Sequence, residues 1–78
     1  MRLIRLLGPL QQAIDTMSKG STFKVSTLLM DLDLWESRND LHNMRTTMAF
    51  KALVEDGLLE NIQLLTLQKT KHAVYLTY

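Results

Sequence analysis

The 78-residue chain contains no cysteine. That excludes a disulfide framework, a thiolate zinc site and a cysteine nucleophile together, and it suits a reducing cytoplasm. Proline occurs once and glycine three times, so no glycine-rich loop is present to cradle a phosphate. No apolar run approaches the ~20 residues that a membrane span requires, so no membrane partner is expected. The opening MRLIRLLGPL is too short and too interrupted in its apolar part for a signal peptide, and no small-residue cleavage site follows it. Net charge is only +1, far from the basic excess that by itself marks a nucleic-acid binder. Any such role must rest on where the charges sit.

What is present is globular in composition: 46% hydrophobic and 22% charged residues, unlike a disordered tail. The length allows one domain, residues 1–78, with a single modest core. At this size the gain from buried area and the cost of ordering the chain nearly cancel, so a dimer contact or a bound partner would add appreciably to stability.

The chain is organised around residues 37–59, SRNDLHNMRTTMAFKALVEDGLL. Ser37 and Asp40 stand at capping-box spacing, and neither glycine nor proline interrupts the stretch before Gly57, which suits a left-handed helix end. One long helix is expected, followed by the pair Leu58 and Leu59. From there a run of β-favouring residues to the C-terminus predicts a hairpin over residues 58–78, its strands at 58–68 and 72–78 and its tip at Lys69-Thr70-Lys71. Strict alternation breaks at Leu64-Leu65, which suggests a bulge or burial on both faces.

Upstream, Leu3, Leu7, Leu10, Ile14 and Met17 recur at helical spacing. The secure helix is predicted at residues 9–18, because Pro9 is comfortable in a first turn and costly further in. Gly20 is expected to end it behind Lys19. Residues 1–8 are then either the kinked start of this helix or an N-terminal arm. Ser26 is a good N-cap for a brief second helix, STLLMDL, that buries Leu28, Leu29 and Leu32. The segment DLDLWESRND links it to the third helix and carries Trp35.

Three helices followed by a hairpin resemble the winged helix-turn-helix family, an α+β fold. The matching residues are Phe23-Lys24-Val25-Ser26 leading to Leu28-Leu29, and Phe50, Leu53, Glu55-Asp56 and Gly57-Leu58-Leu59 where the third helix ends. The resemblance implies binding to double-stranded DNA, with the third helix in the major groove and the hairpin as a wing along the backbone. The link between the second and third helices is longer and more acidic than that family's usual short turn.

On the third helix, Leu41, Met44, Met48 and Ala52 share one side, and Arg38, His42, Arg45 and Ala49 form a neighbouring stripe. Arginine bonds guanine edges and asparagine bonds adenine, so Arg38, Asn39, His42, Arg45 and Thr46 are the candidate base-reading residues. Lys69, Thr70 and Lys71 would meet phosphates from the wing, supplying affinity without sequence information. Arg2 and Arg5 form a third cationic site. The module would act as a dimer or in tandem, because one domain this small offers little contact area.

A second reading is a winged-helix module that binds a protein and never DNA, motivated by the near-neutral charge and the acidic residues 31–40. Its contacts would be Trp35, Met44, Met48 or the edge of the C-terminal strand, where Tyr75 and Tyr78 either offer a surface for another subunit or are buried against the first helix. Against it, methionine is a common core filler, which places Met44 and Met48 inside, and Trp35 reads as a plug under the link.

Catalysis finds no support. His42 and His72 are thirty residues apart, and no serine has a base-orienting set. Asp31, Asp33 and Glu36 lack the ligand and glycine pattern of a calcium loop and are expected to cap helices or repel a wrong partner instead. No cofactor is expected.

Overall fold

A computed structural model describes residues 3–65 and 74–78. The fold is α+β: a 3₁₀ turn at Leu3–Leu6 runs directly into α1 (Leu7–Thr16), followed by β1 (Thr22–Lys24), α2 (Val25–Asp31), α3 (Asp40–Glu55), β2 (Ile62–Leu64) and β3 (Val74–Thr77). The strands form one antiparallel sheet in the order β1-β3-β2.

The first helix therefore starts two residues earlier than Pro9 and ends two before Ser18. Pro9 is the third residue of α1, where its missing N–H would have had no partner within the helix, so the chain extends helically past it. Residues 3–6 are thus the start of the helix and not a separate arm. Gly20 does not end α1. Met17 already turns extended, and Gly20 sits beyond it in a turn with φ +85°, passing its N–H to Thr77 O at 2.8 Å.

The N-cap of α2 is Lys24 and not Ser26, and no side chain caps it. Tertiary pairing overrides local preference here: Lys24 is held opposite Val74 in the sheet, so the strand's end fixes where the helix begins. At its C-terminus α2 closes by a Schellman motif, Leu34 N–H to Leu29 O at 2.8 Å and Asp33 N–H to Met30 O at 3.1 Å, with Asp33 left-handed at φ 59°. The acidic link is therefore partly a helix cap. Helix α3 ends in the same way, with Leu58 N–H to Leu53 O and Gly57 N–H to Val54 O, and Gly57 at φ +73°. Of the leucine pair that follows, Leu59 is buried and Leu58 exposed.

The core gathers Leu3, Leu10 and Ile14 from the N-terminal helix, Val25, Leu28 and Leu29 from α2, Phe50 and Leu53 from α3, and Leu59, Ile62 and Tyr75 from the hairpin region. Leu32 and Trp35 are half-buried against it. In the sheet, Leu64 is half-buried and Leu65 exposed. Tyr75 lies at the centre, stacked on Phe23 at 5.8 Å between ring centroids and edge-on to Phe50 at 5.0 Å. The expectation of a free edge on the C-terminal strand is overturned: β3 is the middle strand, paired on both sides, and Tyr75 is buried. Tyr78 alone of the two is exposed.

The Tyr75 hydroxyl has no hydrogen-bond partner among the described residues. Burial, and secondly the negative charge of Glu55, push its pKa up from 10.0 to about 12. The folded state thus holds the phenolic proton more tightly than the unfolded chain. This contribution is present below pH 10 and is lost as pH rises through about 12. Tyr75→Phe abolishes that decline. Urea melts of both proteins between about pH 9 and about pH 12 check it, and parallel losses in the two would contradict it.

Candidate nucleic-acid interface

Helix α3 turns its residues about 100° per step, and the face it buries is Asn43, Thr46, Thr47, Phe50 and Leu53. That face is polar in its first half. The apolar stripe lies on the opposite side: Leu41, Met44 and Met48 are 55%, 47% and 63% exposed. Methionine as core filler is therefore overturned for Met44 and Met48. The core positions are instead set by Phe50, which must reach Tyr75.

The helix starts one cap later than the Ser37 box. Asn39 is the N-cap, its Oδ1 accepting from His42 N–H at 3.0 Å, and Asp40 stands in the first turn, where a negative charge suits the helix dipole. Ser37 lies in the turn before it.

Two side chains tie the link to α3. The Asn43 amide, buried to 1% exposure, makes a two-pronged contact with the backbone of Glu36: its Nδ2 donates to Glu36 O at 2.7 Å, and its Oδ1 accepts from Glu36 N–H at 2.9 Å. His42 Nε2–H donates to Leu34 O at 3.2 Å, because a carbonyl can only accept. Thr46 Oγ1 donates to His42 O at 2.9 Å. A similar amide clasp joins the first helix to the start of the hairpin region, with Gln11 Nε2 to Glu60 O at 3.0 Å and Glu60 N–H to Gln11 Oε1 at 2.7 Å. The angle of α3 is thus set by hydrogen bonds as well as by apolar packing.

No family model, curated protein or solved structure matches this chain.

The candidate base-reading residues separate accordingly. Arg38 and Arg45 are exposed, and neither forms an ion pair with a described residue. Asn39 is exposed but has its side-chain oxygen engaged as the cap. His42 is half-buried and turned to the link. Thr46 is buried and bonded to its own helix, so it is withdrawn as a contact residue. Ala49, on the same stripe, is half-buried. The solvent face of α3 is therefore rotated by about one stripe from the expected one, to Leu41, Met44, Arg45, Met48 and Ala52. Lys69, Thr70, Lys71 and Arg2 lie outside the described residues, and Arg5 is exposed.

Between the N-terminal 3₁₀ turn and α3 lies an open groove of about 300 Å³, lined by Leu3, Asn39, Leu41, Arg45 and Ala49 among others. Among the described residues no three histidine or acidic side chains come together to hold a metal ion, and no helix is long and apolar enough to cross a membrane.

Asn43 was invisible to periodicity because the apolar pattern of α3 points to Leu41, Met44 and Met48. The signal that would have found it is the spacing 43-46-47-50-53, centred on the aromatic Phe50 and read regardless of polarity.

Proposed function

We propose that this chain is a winged helix-turn-helix module that binds double-stranded DNA, sets α3 in the major groove, and acts as a transcriptional or replication regulator. The observation that carries the reading is the exposure of Arg45 on the solvent side of α3, whose other face is core, and of Arg38 in the turn that leads into that helix. The element order, three helices and then a pair of antiparallel strands, with β1 closing the sheet against β3, supports it. So does the clasped link, which holds α3 at one angle, as reading a groove requires.

The test is fluorescence anisotropy with random-sequence duplexes across a salt series. Micromolar binding with a log-log slope of about −3 to −5 is expected, from about three to five phosphate contacts. Arg45→Ala should weaken binding to a selected site by ~1–3 kcal/mol and relax sequence preference if Arg45 reads a base. No binding at ~50 mM salt, where phosphate attraction is least screened, overturns the proposal.

A second reading, a protein-binding module of the same fold, is favoured by the exposure of Leu41, Met44 and Met48. It predicts a flat salt series, and loss of partner capture in Met48→Glu with the fold intact.

A further inference from the structure

We infer that the exposed stripe of α3 reads thymine methyl groups, so that the duplex it prefers carries thymines in the major groove. The inference rests on the DNA-binding proposal and names what that surface recognises. Leu41, Met44 and Met48 occupy the middle of the solvent face at spacings of three and four. None of the three has a strong donor or acceptor for a base edge. In the major groove, the feature that such side chains complement is the C5-methyl group of thymine.

The polar readers that would compete are removed by the fold. The oxygen of Asn39 caps the helix, Thr46 is buried, and His42 is turned to the Leu34 carbonyl. Arg38 and Arg45 remain exposed as the cations that meet guanine edges or phosphates. Asp40 falls about 140° around the helix from Arg45 and about 40° from Met44, so it borders the stripe on the side away from Arg45. From Leu41 to Met48 the helix rises about 10 Å, about three base-pair steps. The stripe therefore spans a short thymine-containing block, with the arginines supplying charge complementarity to the DNA around it.

The experiment is selection from random duplexes, followed by Kd measurements on the selected sequence with thymine and with deoxyuracil, which differs only in lacking the methyl group. Two or more thymines within about four consecutive base pairs are expected, with binding weakened about fourfold for each contacted methyl removed. Met44→Ala/Met48→Ala, folded by circular dichroism, should bind thymine and uracil duplexes nearly alike and keep the native salt slope.

Equal binding of both duplexes by the native protein, with the salt slope intact, overturns the inference and leaves the DNA proposal standing. Failure to bind any duplex overturns both. A dimer in sedimentation equilibrium that Met48→Glu dissociates would show that a second copy covers the stripe, and that also overturns the inference.

Discussion

Phe50→Ala is expected to lower the free energy of unfolding by about 3–5 kcal/mol, the usual cost of deleting a buried aromatic ring. Phe50 is fully buried, and its edge-on contact with Tyr75 joins α3 to the middle strand of the sheet. Removing it opens a void at the junction of helix and sheet, where Leu53, Val25 and Tyr75 all belong to one cluster. Because a chain of this length is expected to have roughly 4–12 kcal/mol in total, the variant loses a large share of its stability. Urea denaturation followed by circular dichroism measures the loss. Phe50→Leu, which keeps most of the volume, should recover more than half of it. A loss below about 1 kcal/mol for the alanine variant would mean that α3 does not dock on Tyr75 as described.

The second large effect belongs to Asn43. In Asn43→Ala the Glu36 N–H loses its partner, and the Glu36 C=O keeps only the Asn39 N–H. The unsatisfied N–H costs about 1–3 kcal/mol while it stays buried, and the link can loosen to reach water, so a net loss of about 1–3 kcal/mol is expected. Asn43→Asp should rescue little: a carboxylate accepts from the Glu36 N–H but repels the Glu36 carbonyl that the amide had donated to. If both variants melt within about 0.5 kcal/mol of the native protein, the amide does not hold the link. On the DNA proposal, Asn43→Ala should also weaken duplex binding, because the link then no longer sets the angle of α3. The salt slope should stay unchanged, since no cation is removed.

Much of the fold was legible because the deciding interactions are local. The spacing of Leu3, Leu10 and Ile14 announced the first helix, and Gly57 announced the end of the third through its left-handed backbone. Leu28 and Leu29 were expected in the core and are there. Boundaries failed where a distant partner decided them. Lys24 begins α2 because Val74 holds it in the sheet, and Ser26, the better cap by its own chemistry, has no influence on that. Asn39 displaced Ser37 as the cap of α3 because the turn before it is held by Asn43 and His42 reaching back to Glu36 and Leu34.

The candidate site was legible in residue type and misread in direction. Arg38 and Arg45 were recognised by their charge and are exposed. Hydropathy assigned Met44 and Met48 to the core, whereas the core takes Asn43, Thr46 and Thr47, polar groups that apolar periodicity cannot count. Two of these find hydrogen-bond partners on folding, which is how a polar side chain comes to tolerate burial. Thr47 Oγ1 has none.

What the sequence by itself determined is therefore the existence and type of the three helices and the C-terminal strand pair, because helical spacing, turn glycines and β-branched or aromatic runs act on neighbours within a few residues, whereas β1 becomes a strand by pairing with the distant β3. The tertiary structure alone decided which face of α3 looks inward, which strand lies in the middle, and which arginines meet solvent. Those outcomes depend on Phe50 meeting Tyr75 and on Asn43 meeting Glu36. Contacts of this kind form only once separate segments have docked, and their geometry outweighs local hydropathy.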